Sequence, residues 1–408
     1  MTSDETREGT IADFAEVVVG GTPSTRRAEY WGPGITWVTP TDVTATAGRS
    51  LAASSRSITA KGLIESSARL VPKGSVLVTT RATIGPAVIA ATDVATNQGV
   101  TALVPRPGVS GTWLYYWVLA NRDEFVSRGA GNTFPEISRA KTRAIPMVVS
   151  SPTRQGEVVR VLSAVDDALD AARLALVEAR RAKNALVEHV LAGAAAGAWG
   201  SAPLETAAGA DGVFTDGDWI LSEDLKSGRE VRLLQLGDIG VGRFLDKSSK
   251  WISRARYDAL HCTAVLPGDI LISRMAEPIA RACIVPDLGV MAITAVDVTI
   301  LRCDEELVDP RFVMQTLNSL RFRYEAEQQS AGGTRRRITR KKLALLNIPI
   351  PPLSVQRELA DLWAAADDLV TAYERRHVAL AVLKRAAVRR LFANEDTRSD
   401  ASLIGAAA

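Results

Sequence analysis

The sequence predicts an α+β protein in which two strand-rich domains of the same plan alternate with two long, coiled-coil-like helices. Three observations carry that expectation: a change of hydrophobic period along the chain, a heptad seam in two segments, and an internal repeat. Residues 1–150 and roughly 200–350 alternate short apolar runs with Gly and Pro, the pattern of strands and turns. VLVTT at 76–80 follows Pro72-Lys73-Gly74, and DILIS at 269–273 follows Pro267-Gly268. Residues 153–191 and 355–392 instead repeat apolar side chains every three or four positions, which is the period of a helix.

The first helical segment carries a seam in alternating steps of four and three: Val158, Leu162, Val165, Leu169, Ala172, Leu176, Ala179, Lys183, Leu186, Val190. The second carries Leu359, Trp363, Ala366, Val370, Tyr373, His377, Leu380, Lys384, Ala387, Leu391, displaced by 201 residues, with Lys at the matching place. A heptad sustained over more than five turns is a pairing surface, and its many alanines suit close helix contact. The two helices can therefore pair with each other; the alternative is that each packs on its own domain.

The helices belong to a larger repeat. Ile35-Thr36-Trp37-Val38-Thr39-Pro40-Thr41-Asp42-Val43 matches Val231-Arg232-Leu233-Leu234-Gln235-Leu236-Gly237-Asp238-Ile239 at an offset of 196. Gly74 and Gly268 match at 194, Gly131-Asn132-Thr133 and Gly332-Gly333-Thr334 at 201, and Asp166-Asp167 and Asp367-Asp368 also at 201. Four anchors in one order mean duplication. The expected organisation is a first domain at 1–150, a helical segment at 151–197, a second domain at 198–350, a helical segment at 351–395, and a flexible C-terminal tail at 396–408.

Composition narrows the class. The chain has 408 residues, which at about 150 residues per domain excludes a single core. With 47% hydrophobic and 23% charged residues it is globular rather than disordered or collagenous. Cys262, Cys283 and Cys303 form no C-x-x-C pair, so neither a disulfide framework nor a zinc site is expected. The polar, acidic N-terminus has no signal-peptide pattern, and no window approaches eighteen apolar residues. A cytoplasmic protein with no membrane partner follows as the expectation. Net charge is only +3, so any basic surface must be local. The basic set holds 39 Arg against 10 Lys, and Arg presents the planar fork that suits phosphate and guanine. A GC-rich coding bias accounts for the same excess.

Catalytic patterns are missing. His189 and His377 lie on the long helices and His261 stands beside Cys262; no H-E-x-x-H, G-x-S-x-G or P-loop pattern occurs. The nearest nuclease-like set is Asp216 or Asp218 with Asp224 and Lys226, in a Gly-rich polar loop. The only Pro-Pro, Pro351-Pro352, lies between Ile350 and Leu353, which is not the aromatic-flanked segment an amino-methyltransferase needs. No catalytic residue and no metal ligand is assigned.

What the sequence offers instead is polar and cationic loops on strand-rich domains. Residues 321–342 hold eight basic residues against Glu325 and Glu327, a net of +6, including Arg335, Arg336, Arg337 and Lys341. Guanidinium forks and backbone N–H groups in such a loop can meet phosphates, while a solvated charge run is the plainer reading. In the first domain Gly20-Gly21 leads into Thr22, Ser24, Arg26 and Arg27. Arg81 and Arg274 follow matched strands, and Asn97 and Gln98 suit adenine as Arg suits guanine. Thr41 and Gln235 near matched strand ends, with Asn132, Thr133 and Thr334 in matched loops, complete the candidate DNA-binding set.

These residues resemble the specificity subunits of type I restriction–modification systems, the HsdS family, over nearly the full length. The resemblance rests on GGTPSTRRAEYWGPGITWVTPTDV, VPKGSVLVTTRATIG, NQGVTALVP and the helix from SPTRQGEVV to HVLAG in the first half. In the second half it rests on GDWILSEDLKSGREVRLLQLGDIGVGRF, LPGDILISRMA, SAGGTRRRIT and IPIPPLSVQRELADLWAAADDLV. It implies that each strand-rich domain is a target-recognition domain reading half of a bipartite site on double-stranded DNA. The long helices would pair antiparallel, as a spacer and as a docking surface for two methyltransferase subunits. Those partners would hold S-adenosylmethionine and methylate adenine at N6, and restriction subunits using ATP and Mg2+ would cleave; this chain would bind no cofactor and catalyse nothing. Helices of about 39 residues span roughly 60 Å, or at most ~17 base pairs. The competing readings are a stand-alone nuclease or methyltransferase with a degenerate site, and a coiled-coil scaffold that binds no DNA. The basic Arg335-Arg336-Arg337 run faces Phe134-Pro135-Glu136 at the equivalent place, so the two halves should read different sequences.

Overall fold

A computed structural model describes residues 6–130, 135–193, 197, 199–226, 228–332 and 336–404, with side chains through residue 393. The chain divides into two compact units, Met1–Leu174 with Glu374–Ala408, and Ala175–Tyr373. The division falls inside both long helices, so each unit is one strand-rich domain plus half of each helix.

In the first unit a five-stranded sheet takes the order Ala15–Val19, Val100–Pro105, Val76–Thr79, Ala87–Ala90, Ser50–Leu51. A four-stranded sheet takes the order Arg56–Ile58, Trp31–Val38, Val94–Thr96, Leu70–Val71, in which Trp31–Val38 and Val94–Thr96 run parallel. Arg7–Thr10 pairs with Pro146–Val149. Helix Gly111–Ala120 closes the core: Trp113, Leu114, Tyr115, Tyr116, Trp117 and Val118 are all buried, because it is covered on more than one side.

The second unit repeats the plan. Val213–Asp216, Val298–Arg302, Ile270–Ser273 and Ala282–Ile284 form one sheet, and Lys250–Ile252, Val231–Leu234 and Met291–Thr294 another. The parallel pair recurs as Val231–Leu234 with Met291–Thr294, and the terminal pair as Gly200–Pro203 with Asn347–Ile350. Helix Pro310–Leu317 fills the role of Gly111–Ala120.

The long helices are Pro152–Gly193, 42 residues, and Leu353–Ile404, 52 residues. At about 1.5 Å per residue they measure about 63 and 78 Å. The second continues through the segment from 396 that reads as tail in the sequence, and is helical to Ile404. Each is clamped at its start by one glutamine. Gln155 Nε2 donates to Ser150 O (2.8 Å) and Gly108 O (3.0 Å), and its Oε1 accepts from Ser110 N (2.8 Å). Gln356 repeats all three contacts, with Pro351 O (2.9 Å), Leu307 O (3.3 Å) and Asp309 N (3.0 Å).

Within each unit the helices pair antiparallel. In the first, Val158 and Leu162 share a core with Val388, Phe392 and Trp113, while Lys384 Nζ meets Asp166 Oδ1 at 2.7 Å. Asp166 also accepts from Tyr116 OH (2.7 Å). In the second, Val187 and Leu191 pack with Ala360, Trp363 and Phe312, and Lys183 pairs with Asp367, which also accepts from Gln315 Nε2 (2.6 Å). The Lys that interrupts each seam is thus the partner of the duplicated Asp pair on the other helix. Both readings of the helices hold: they pair with each other, and each half packs on the domain of its own unit.

Candidate nucleic-acid interface

In the first unit, backbone hydrogen bonds gather the loops that follow several strands at one end of the domain. Gly21 N donates to Thr96 O, Asn97 N to Val38 O, Thr80 N to Gly99 O, Ile137 N to Thr80 O and Ala82 N to Pro135 O. The approach at Gly20 leaves no room for a side chain, since a Cβ there would lie 2.1 Å from Thr96 O. Ala82 takes a φ of +64°, and Ala276 after the matching strand of the second unit takes +66°. Left-handed backbone at a non-glycine residue is strained, and it recurs at both loops.

The polar candidates of this unit sit on that end. Thr22 and Gln98 are exposed, and the Thr22 hydroxyl donates to Gln98 Oε1 (2.5 Å). Asn97 Oδ1 accepts from Gly99 N at 2.9 Å, a turn that fixes its side chain. Thr41 is exposed on helix Pro40–Ala45, whose start is held by Asp42. Asp42 accepts from Thr39 Oγ1 (2.6 Å), Thr39 N (2.9 Å) and Ser55 N (2.8 Å). Burial pushes its carboxyl upward, but the hydrogen bonds outweigh that and hold it below the usual range. Ser24 and Arg26 are exposed, and Arg27 reaches Tyr30 OH (2.6 Å) and Glu65 (3.5 Å). Arg81 is exposed and lies 3.5 Å from Glu136. Asn132 and Thr133 lie outside the described residues.

The second unit builds the same end from different side chains. Asp218 N donates to Thr294 O and Ala295 N to Leu234 O, repeating the bonds of Gly21 and Asn97. Gly217 replaces Gly20, with a hypothetical Cβ 2.4 Å from Thr294 O. Gln235, half-buried, caps the turn Leu236–Asp238. Asp238 is fully buried and accepts backbone N–H groups of Gln235, Lys247 and Ser248, each at 2.7 Å. Its carboxyl, pushed up by burial, is held low by bonds from Ser248, Gln235 and Lys247.

Arg274 belongs to the framework, not to the exposed set the sequence suggests. It is 3% exposed, pairs with Asp216 at 3.0 Å, and donates to the carbonyls of Ile338 (3.3 Å) and Val296. The run at 336–342 is likewise largely engaged: Arg336 pairs with Glu327, Arg337 with Asp297 (3.0 Å), Arg340 with Asp216 (3.7 Å), and Lys342 donates to Gln329 O (3.0 Å). Lys341 is exposed. Thr334 and Arg335 lie outside the described residues.

Four positioning residues escaped the sequence reading. Buried Arg281 donates to Ile239 O (2.8 Å), Leu236 O (2.9 Å), Ala276 O (3.0 Å) and Pro278 O (3.2 Å), tying the Gln235 turn to the loop after Ser273. Asp42 and Asp238 hold matched turns; their signal was present, because both lie in the repeat anchor. Arg56 stacks 3.5 Å over the Trp31 ring, whose Nε1 donates to Ser24 O; no sequence pattern distinguishes that arginine.

The carboxylates weighed for a nuclease are committed elsewhere. Asp216 serves Arg274 and Arg340, Asp218 accepts from Thr263 N (3.1 Å), and Asp224 pairs with Arg256 (2.6 Å). Among the described residues no group of three His, Cys, Asp or Glu side chains could hold a metal ion, and no helix is long and apolar enough to cross a membrane. Burial pushes the thiol of Cys262 up to about 11 and those of Cys283 and Cys303 up to about 12.

Residues 4–179 match the family of the type I restriction modification DNA specificity domain. Over 182 residues, 44% of this chain, the sequence is 35% identical to the type I restriction enzyme MjaIX specificity subunit of Methanocaldococcus jannaschii. Over 166 residues, 38% of this chain, it is 26% identical to the EcoR124I/EcoR124II specificity subunit of Escherichia coli. Each match covers 40% of the relative's own length. Two solved structures share the fold. The type I restriction–modification S subunit from M. genitalium aligns at TM-score 0.56 and 11% identity, covering 96% of this chain and 97% of that one. A chain from work on assembly and conformational transition of the type I R-M system aligns at 0.64 and 16% identity, covering 96% and 98%. The first half is thus similar in sequence to that specificity domain, and the second repeats its sheets, clamps and loop bonds. The family match is to residues 4–179, and over its length the chain shares the fold of type I restriction–modification S subunits.

Proposed function

We propose that this chain is the DNA-reading subunit of its system, each unit presenting its gathered loops to one half of a bipartite site on double-stranded DNA. The observation that carries this is the duplication of one loop-bearing end with its side chains exchanged: Thr22, Asn97 and Gln98 in one unit, Trp219, Ala295 and Val296 in the other. A common backbone with different base-edge chemistry suits two half-sites of different sequence.

The helices act as the spacer and as the docking surface. Exposed apolar residues recur on them at the repeat offset: Val161 with Leu362, and Val177 with Val378. The first unit holds Val161 and Val378, the second Leu362 and Val177, so each presents the same pair of positions. Two equivalent apolar positions favour two copies of one partner, the methyltransferase subunit. Those partners would carry S-adenosylmethionine and transfer its methyl to adenine N6, and restriction subunits would supply ATP- and Mg2+-dependent cleavage. This chain directs the reaction and forms no bond.

Methylome sequencing of the host with and without the gene tests the reading. The expected result is a bipartite adenine-methylated motif that vanishes with the gene; a motif-free or unchanged methylome would overturn it. Deleting seven residues from both helices should shorten the motif's gap by about three base pairs, because seven helical residues span about 10 Å. Purified chain with labelled S-adenosylmethionine should show no transfer to DNA without partners.

A further inference from the structure

The geometry points to Trp219 as a base-reading residue of the second unit that contacts a thymine methyl group. This inference rests on the DNA-reading role proposed above. Trp219 is 68% exposed and makes no ring stack or hydrogen bond among the described residues, although burying a tryptophan removes 150–250 Å² from water on the general scale of aromatic side chains. The fold makes no use of it.

Its position is defined by the repeat. Gly20-Gly21-Thr22 corresponds to Gly217-Asp218-Trp219, because Gly21 N bonds Thr96 O as Asp218 N bonds Thr294 O. Trp219 therefore stands where the first unit places Thr22, the hydroxyl bonded to Gln98. The loop is held on both sides. Asp218 bridges to Ala295 and accepts from Thr263 N, while Leu221 N donates to Asp224 (2.7 Å), itself paired with Arg256. Ala295 in turn donates to Leu234 O, beside Gln235, so Trp219 and Gln235 flank one turn. An exposed aromatic on a loop fixed at both ends is pre-organised, and binding orders little of it further.

The surroundings favour DNA as the occupant. Residues 226–250, the strand before Gln235 and its flanking loops, carry six basic residues against three acidic, of which Asp238 is buried. Arg232 of that set pairs with Asp246, and the remaining net positive charge on the segment that holds Gln235 suits a polyanion that displays apolar groups in its groove. In the major groove, the apolar group on a base edge is the thymine C5 methyl.

The test starts from the motif that methylome sequencing assigns to the wild-type gene. The complex assembled on the full chain is then assayed for methyl transfer on duplexes carrying that motif, with each thymine of the second half-site replaced in turn by deoxyuridine, which lacks the methyl. Wild type should lose about tenfold in kcat/KM at one such thymine, on the scale of a lost base contact. Trp219→Ala should show that lower rate already and no further loss with deoxyuridine, its first half-site being read as before, and Trp219→Phe should keep part of the discrimination. A second half-site without thymine on either strand, a wild type indifferent to every replacement, or an Ala variant as methyl-sensitive as wild type would overturn the inference. If the Ala variant fails to assemble, the wild-type replacements and Trp219→Phe still decide it. Absence of any gene-dependent bipartite motif would instead count against the DNA-reading role itself.

Discussion

The two strand-rich domains share a backbone plan and differ in what fills it. At the end of one matched strand, Thr80 in the first unit shares a hydroxyl bond with Thr101, whereas Arg274 in the second places a buried guanidinium against Asp216 and two carbonyls. Where the first unit has Pro86, the second has Arg281 with four carbonyl acceptors. Both domains bring their loops into close backbone approach at Gly20 and Gly217, but the first completes the loops with small residues and the second with interior cations. A surplus of arginine therefore does not translate into a basic surface: part of it has become framework.

The largest test of that contrast removes the cations. Arg281→Met leaves buried carbonyls without donors and should destabilise the second unit by about 3–5 kcal/mol, with Arg274→Met costing less, about 2 kcal/mol, because it frees two carbonyls while Asp216 keeps Arg340 and Thr299. Thr80→Val, the counterpart in the first unit, should cost about 1 kcal/mol. Urea unfolding read by segment-resolved hydrogen exchange checks this; equal losses in the two units would end the contrast. The next largest difference is at the matched turns. Asp238→Ala leaves three N–H groups unbonded in a fully buried site, about 3 kcal/mol, while Asp42→Ala exposes its donors to water, about 1 kcal/mol.

Much of this was legible in the sequence. The periods located both helices, and the offsets near 196 and 201 located matched turns and the recurring Lys and Asp pairs. What the offsets could not give was direction. Arg274 and Arg81 both follow apolar strands, yet one is buried and one exposed, because Arg274 takes the buried place of Thr80 and Arg81 stands one residue further along, a register that only the packing shows. The exposed state of Trp219 was hidden for the same reason: a tryptophan beside Ile220 reads as core by composition, and only the packing shows it left out.

A smaller asymmetry lies in the helix pairs. Lys384 meets a buried Asp166, Lys183 a part-exposed Asp367. Lys384→Met should cost about 2 kcal/mol, held down because Arg49 stands 3.8 Å from Asp166 and Tyr116 remains bonded to it. Lys183→Met should cost under about 1 kcal/mol, since water can solvate Asp367. Adding Arg49→Ala to Lys384→Met should then widen the gap, and a double-mutant cycle measures by how much.

The smallest difference is in response to acid. Asp13 and Asp42 of the first unit have lowered pKa values, as do Asp224, Asp238 and Asp309 of the second. A lowered carboxyl contributes stability above the unfolded-chain value near 4, and that stability is lost as pH falls through the folded value. Asp218 runs the other way: burial raises its pKa, so it costs stability when ionised, and the cost disappears as pH falls. Three lowered groups against one raised leave the second unit close to the first. Asp218→Asn removes the opposing group, keeps an acceptor for Thr263 N, and should stabilise the second unit at pH 7 but not at pH 3. Exchange protection, corrected for intrinsic rates, should then fall more steeply with acid in strands 270–273 and 298–302 than in 76–79 and 100–105. An unchanged slope in the variant would mean that Asp218 is solvated alike in the folded and unfolded chain, and that the loop carrying Trp219 is held by its backbone bonds alone.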